Sequence, residues 1–386
     1  MLIFNKFKNK IAVDDIMQEL ILFGEIYAVT KNVYKEYIIN HIVKDLNALS
    51  LICERGDDPG WSLLNAAKID IEDIFKNYFE KDVLYDYAAS NLERNIKSVN
   101  FPEYNIKIQK LCEIDSPEKF LDGIIDFYKR FGGGKNNGYI AFKFNGEKNK
   151  FIGIDLSDID RYDINDLYCI DYQKKMICEN TELFLRGDNT EKKANNVLLA
   201  GDSGTGKSTL VKSVLEKYYA NGLRLIELDK KDIIYFEKIA DEVKNKNLKY
   251  IIFIDDLSFE TDETEYKTIK SIIDGKITKQ PNNILIYATS NRKHLIRETW
   301  RDREEDEINV NDTKNELLSL SERFGIKLTF TSISKEEYLL IVENMLKQKN
   351  INDFNKIEEL KEKSLVFALK YNGFSGRTAR QFINSL

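Results

Sequence analysis

Eight consecutive residues, Gly201-Asp202-Ser203-Gly204-Thr205-Gly206-Lys207-Ser208, constrain this chain more than any other feature. They complete the pattern Gly-x4-Gly-Lys-Ser/Thr, whose phosphate-holding form is the turn between a buried strand and a helix. Glycines let successive backbone N–H groups wrap a phosphate, and the helix N-terminus adds a dipole that favours an anion. In that geometry Gly201 through Thr209 cradle a nucleotide, Lys207 reaches its β- and γ-phosphates, and the Ser208 hydroxyl binds Mg2+. The flanks agree: Val197–Ala200 reads as a buried strand and Thr209–Tyr219 as a helix.

A second feature is the apolar run Ile251-Ile252-Phe253-Ile254, which ends in Asp255-Asp256. Ligands of open α/β sheets sit at the carboxyl ends of the strands, which brings Asp255 beside the glycine loop. Asp255 is expected to hold Mg2+ through water, and Asp256 to polarise an attacking water. Glu260 competes for the second task, and two acids that merely end a strand are the plain alternative.

Five short apolar runs alternate with amphipathic helical segments: Val197–Ala200, Leu223–Leu228, Tyr250–Asp255, Ile284–Ala288 and Ile326–Phe330. Strand, helix, strand at this spacing predicts an α/β fold, a parallel sheet with helices on both faces. Beyond Phe330 the pattern is helical. Ser334 with Glu337 forms a capping box, a second helix ends near Asn372-Gly373, and a third starts after Ser375. The first 131 residues read as mainly helical. Ser116-Pro117 starts a helix that stops at Gly132-Gly133-Gly134, and Tyr139–Phe144 with Phe151–Leu156 reads as a β-hairpin. The triple glycine lacks a preceding strand and a Gly-Lys-Ser/Thr ending, so it is expected to be a helix stop.

A third strand ends in Ala288-Thr289-Ser290-Asn291, followed by Ser321-Glu322-Arg323-Phe324-Gly325 and Ser375-Gly376-Arg377. This order of motifs resembles the AAA+ ATPases. Within them the chain looks like a bacterial group known only as a predicted ATP-binding family, domain of unknown function 815. Asn195-Asn196-Val197-Leu198-Leu199, Phe253 through Glu260, and Ile286 through Arg292 carry that likeness. The resemblance implies that Asn291 senses the γ-phosphate or attacking water. It implies that Arg323 is an arginine finger reaching a neighbour's nucleotide, and that Arg377 couples a helical lid to the γ-phosphate. Asn291 as a loop cap, Arg323 as a surface residue with Arg297, Arg301 or Arg303 as rival fingers, and Arg377 as a helix-start contact remain open alternatives. Asp166–Thr181 resembles the linker that lies over adenine in these proteins. Where many AAA+ proteins have Asp-Glu, this chain has Asp255-Asp256; AAA+ replication initiators and helicase loaders share that pair, and a shorter carboxylate is compatible with slow turnover.

The expected organisation is a mainly helical acidic segment at 1–165, a linker at 166–194, an ATPase core at 195–331 and a helical lid at 332–386. The expected function is hydrolysis of Mg-ATP to ADP and phosphate, used to remodel or load a protein partner. The alternatives are a slowly hydrolysing assembly switch and a DNA-associated loader. Fifty-eight basic and 64 acidic residues give a net charge of −6, which speaks against a generic nucleic-acid coat. The charge is uneven: residues 1–190 hold 25 basic and 32 acidic residues, net −7, and the remainder is near neutral. A homo-oligomer, ring or filament, is expected, with an unidentified protein partner met through the acidic N-terminal segment; nucleic acid is the less favoured partner. The N-terminal aromatics, among them Tyr27, Tyr34, Tyr37, Phe75, Tyr78, Phe79, Tyr85 and Tyr87, lack basic interleaving and are expected to be core. The run Arg301–Glu307 is expected to be a solvated face. No apolar run approaches the ~20 residues that cross a bilayer, and no signal-peptide order opens the chain, so a cytoplasmic protein is expected. With only His41 and His294, and four cysteines lacking a Cys-x-x-Cys pair, no metal cage or disulfide framework is expected, and the thiols should be mostly buried.

Overall fold

The computed structural model describes residues 33–79, 102–148, 150–187, 192–257, 264–273, 281–291, 323–371 and 373–386. Glu260, Arg297, Arg301, Arg303, the charge run 301–307 and the aromatics Tyr27, Tyr85 and Tyr87 lie outside the described residues.

Among the described residues five helices come first: α1 (Val33–Val43), α2 (Ala48–Glu54), α3 (Gly60–Ile74), α4 (Pro102–Cys112) and α5 (Pro117–Phe131). Ser116 caps α5 through the Lys119 N–H, and Pro117 occupies its first turn, where a missing donor costs nothing. Gly132 ends α5 at φ 76°. A Cβ on Gly132 would meet the Glu54 carboxylate at 2.6 Å, and one on Gly133 would meet the Ser50 side chain at 2.6 Å. The triple glycine is therefore a helix stop that also lets α5 press against α2. Phe75, Phe79 and Phe120 pack edge to face, and Tyr37 and Phe75 are buried. The lack of basic interleaving pointed to core, and Tyr37 and Phe75 lie there with Phe79 packed against them; the side chain of Tyr78 lies outside the described residues.

The hairpin strands β1 (Ala141–Asn145) and β2 (Lys150–Ile154) follow, then α6 (Asp171–Arg186), β3 (Val197–Gly201), α7 (Lys207–Tyr218), β4 (Leu223–Glu227), α8 (Phe236–Val243), β5 (Lys249–Ile254), α9 (Thr264–Ile273), β6 (Ile284–Ser290) and β7 (Ile326–Phe330). The C-terminal helices, expected as a lid, are α10 (Lys335–Gln348), α11 (Phe354–Lys370) and α12 (Gly376–Asn384). The described strands make one sheet in the order β2-β1-β4-β5-β6-β3-β7. All pairs are parallel except the hairpin itself. The α/β class expected from the alternating runs is the observed one.

The hairpin departs from its expected place. Rather than belonging with the N-terminal helices, it forms the edge of the central sheet, with β1 parallel to β4 and Ala141 opposite Leu225. Alternation in Phe142 and Phe144 marked it as half-buried, but which sheet its inner face joins is a tertiary matter that periodicity does not carry.

Because both sheet faces are covered, β3 and β5 are almost wholly apolar, whereas Arg224 of β4 and Thr289 and Ser290 of β6 are buried polar residues. Val197 and Leu199 face a core shared with α1–α7, whereas Leu198 and Ala200 face α8 and α9. Each fully buried Leu, Ile or Val contributes about 1.5–3 kcal/mol. The N-terminal helices are thus built onto the sheet. Polar contacts reinforce the seam: Lys246 pairs with Glu54 at 2.9 Å, and the Asn247 N–H donates to the Glu54 carbonyl at 2.7 Å. The lid has its own small core around Tyr338, Leu346 and Phe382, and Tyr168 and Cys169 pack against it. Cys53 is buried, but Cys112, Cys169 and Cys178 are only half-buried, and all four are free thiols. No described helix is long and apolar enough to cross a membrane.

Candidate active site

Three strand ends converge because of the sheet order. The carboxyl end of β3 carries the glycine loop, β6 lies beside it, and β5 lies beside β6. Residues 201–208, Asp255-Asp256 and Asn291 therefore share one edge of the sheet.

The loop has the backbone its glycines permit. Gly201, Gly204 and Gly206 adopt φ values of 144°, 77° and 94°, and Gly206 is the left-handed residue from which α7 begins. Lys207, 5% exposed, donates from Nζ to the carbonyls of Gly201 at 2.9 Å and Asp202 at 2.6 Å. Burial lowers its pKa, the Asp202, Asp255 and Asp256 carboxylates raise it in part, and Arg377 lowers it again. The Thr205 hydroxyl closes the loop on the Asp202 carbonyl at 2.8 Å. Asp202 in turn accepts from Ser332 at 2.5 Å, just past β7. Ser203 sits at the exposed turn, and Thr209 lies in the first turn of α7.

Ser208 and Asp255 meet directly, the hydroxyl donating to Oδ1 at 2.6 Å. One hydroxyl and one carboxylate form a set of hard oxygen donors that suits Mg2+ with water and phosphate oxygens completing the shell. Among the described residues no group of three or more His, Cys, Asp or Glu could hold a metal by itself. Asp256 stands at φ 53°, unusual for a residue with a Cβ, and its carboxylate accepts from the Asn291 side chain at 2.7 Å.

Nothing in the sequence marks Thr289 as part of the site. Its hydroxyl donates to Asp255 Oδ1 in a short contact and accepts from the Asp256 N–H at 2.9 Å, while its carbonyl accepts from the Leu257 N–H at 2.7 Å. One Thr thus ties both acids to the central strand. Only its placement on β6, two residues before Asn291, hinted at this. Thr289→Val keeps the shape and removes both hydroxyl bonds; a loss of about 1–3 kcal/mol is expected in urea unfolding, and unchanged stability would deny the hydroxyl that role.

Arg377 sits on α12 beside the loop. Its Cβ lies 3.9 Å, and that of Ser375 3.0 Å, from where a Cβ on Gly204 would stand. The linker comes near from the other side, with Ile170 3.9 Å from the corresponding position on Gly206. Arg323 is elsewhere. Ile326 pairs with Val197 and Phe330 with Gly201, so residue 323 precedes β7 at the end of the sheet away from the loop. The five residues of β7 alone span about 17 Å. Arg323 does not join the site of its own chain.

The family model described as a protein of unknown function (DUF815) matches residues 137–386, well over half of the chain. Its first matched residues precede β1, so the match takes in the hairpin. No curated protein matches. Similar solved structures include the RuvB Holliday junction branch migration motor of Thermotoga maritima, at 14% identity and TM-score 0.31, covering 58% of this chain and 72% of that one. The FIGL-1 AAA domain in complex with ADP has 18% identity and TM-score 0.37, covering 57% and 70%. A chain of the HORMA:CdnC:Trip13 complex of E. coli MS115-1 has 14% identity and TM-score 0.33, covering 58% and 90%.

Proposed function

The chain belongs to the DUF815 family, and from that premise we propose that it is an AAA+-type ATPase that binds Mg-ATP between its sheet and its helical lid. The observation that carries the reading is the junction of three strand ends. A glycine loop opens a helix, its Ser208 lies 2.6 Å from Asp255, and Asn291 lies 2.7 Å from Asp256. The loop N–H groups and Lys207 would hold the phosphates, and Ser208 and Asp255 would hold Mg2+, which would supply positive charge against the phosphates when bound. Asp256 accepts a proton from the attacking water, and Asn291 orients that carboxylate. Arg377 meets the γ-phosphate from the lid, and Arg323 serves the site of a neighbouring subunit in a ring or filament.

Lys207→Ala removes a charge-assisted contact worth about 1.5–3 kcal/mol, so Mg-ATP binding should weaken about ten- to hundredfold. Competition against a fluorescent ATP analogue reads this directly, and unchanged affinity would sink the assignment of the loop.

A slow assembly switch is the second reading, and Asp256 favours it. Its carboxylate is one methylene shorter than the Glu of many relatives by resemblance, and Asn291 already engages it. Both readings share the binding site. Phosphate release over many turnovers favours a motor that remodels a protein partner; nucleotide-dependent assembly with less than one turnover per hour favours the switch. Salt-sensitive DNA binding only with ATP would favour a loader instead.

A further inference from the structure

We propose that Tyr162 is a positioning residue: it is the ring against which the lid rests so that Arg377 is aimed at the γ-phosphate. This deepens the ATPase reading and rests on it.

Tyr162 belongs to a segment fastened to the helix that the glycine loop opens. Arg161 grips Glu216 of α7 with both arms of its guanidinium, Nε at 2.7 Å and Nη2 in a shorter contact. Asp160 accepts from Lys212 of α7 at 3.2 Å. Lys207 and Ser208 lie in the first turn of that helix. Tyr162 is thereby fastened to the helix that carries Lys207 and Ser208.

From the lid side, the Arg380 guanidinium lies over the Tyr162 ring at 4.3 Å from its centroid, within the range of a cation–π contact. Arg380 follows Arg377 by three residues on α12, so the two side chains share a face about 4.5 Å apart along the axis. Ser375 and Gly376 already press the start of α12 against Gly204. Ala379, Phe382 and Ile383 pack α12 into the lid's own core, so α12 turns with the lid as one body about that contact. Tyr162 supplies a further contact, which fixes the lid's rotation and so the direction of Arg377. Gln348 of α10 reinforces the same strap, donating to the Tyr168 hydroxyl at 3.0 Å and, in a shorter contact, to Asp166.

Arg377 touching the γ-phosphate makes the protein prefer ATP over ADP, and that preference can be read without hydrolysis. The experiment compares Mg-ADP with a β,γ-imido analogue of ATP in competition against a fluorescent nucleotide, using the full chain. Arg377→Ala is expected to cut the preference about tenfold. Tyr162→Ala and Arg380→Ala should do nearly the same, while ADP affinity changes less than about twofold, because neither side chain touches the loop. Tyr162→Phe keeps the ring and should keep the preference. The double variant Tyr162→Ala with Arg377→Ala should match Arg377→Ala alone. An unchanged preference in Tyr162→Ala, multiplying effects in the double variant, or a Tyr162→Phe as impaired as Tyr162→Ala would overturn the proposal. If Arg377→Ala has no effect, the aim of Arg377 and the Tyr162 contact both fail while ATP binding stands. If wild type binds neither nucleotide, the ATPase reading itself fails.

Discussion

Arg323→Ala is expected to lower ATP turnover about a thousandfold, the lower end of what an arginine on the developing phosphoryl charge contributes, with ATP affinity almost unchanged. The two effects separate because of where the residue sits. Parallel pairing of β7 with β3 sets Ile326 opposite Val197, so Arg323 stands at the end of the sheet away from Gly201. It is outside the reach of its own nucleotide, and a catalytic role requires a second subunit. Arg323→Ala mixed with Lys207→Ala should then regain activity. Lys207→Ala subunits bind little ATP but keep Arg323; Arg323→Ala subunits bind ATP but lack the finger. Phosphate release from the mixture should exceed the sum of the separate proteins severalfold and depend on total concentration. Normal turnover in Arg323→Ala, or a mixture no better than its parts, would remove Arg323 from the reaction. Light scattering that shows a monomer throughout, with and without nucleotide, would do the same.

Whatever obeys short-range physics could be read from the chain. The five strands of residues 197–330 appear within one or two residues of their apolar runs, since burial on both faces selects mostly apolar sequence, Arg224 of β4 and Lys327 of β7 being charged interruptions. Ser334 and Glu337 form the reciprocal cap their spacing foretold, and Ser375 caps α12. Gly201 through Ser208, Asp255 and Asp256 could be found because their chemistry needs fixed residue types at fixed spacing. What could not be read depends on sheet order or on pairs distant in sequence. Nothing in Phe142 and Phe144 says that their strand lies beside β4. Thr289 is one Thr among many until β6 sets it between two acids. Tyr162 and Arg380 are 218 positions apart and meet only where the strap passes α12 in the folded chain. Asn180 belongs to the same class: from α6 it bonds the Asn195 backbone at 2.8 and 2.9 Å and the Tyr287 hydroxyl at 3.1 Å, tying linker helix to central strand.

Gly201→Ala is expected to cost about 3–5 kcal/mol, a large share of the ~5–15 kcal/mol that holds an ordinary domain folded. The motif explains the glycine by phosphate; the structure adds a stricter reason. At φ 144° the backbone occupies a region nearly closed to residues with a Cβ, and that alone costs about 1–3 kcal/mol. An added Cβ would also stand 1.9 Å from the Phe330 carbonyl oxygen and 2.7 Å from its carbon. Those are backbone atoms, so no side chain can swing aside. Relief requires β7 to separate from β3, and the Asp202 N–H that donates to the Phe330 carbonyl at 3.4 Å would go with it. Ser332, bonded to Asp202, leads directly into the lid, so the damage spreads to Arg377. Gly204→Ala is the informative control. Its φ is also positive, at 77°, but the added Cβ meets the Ser375 side chain at 3.0 Å, which can shift. It should cost about 1–2 kcal/mol and weaken lid docking more than core stability. Urea unfolding followed by circular dichroism ranks the two. A Gly201→Ala protein as stable as wild type would mean that β7 does not run where its pairing puts it, and the placement of Arg323 would fall with it.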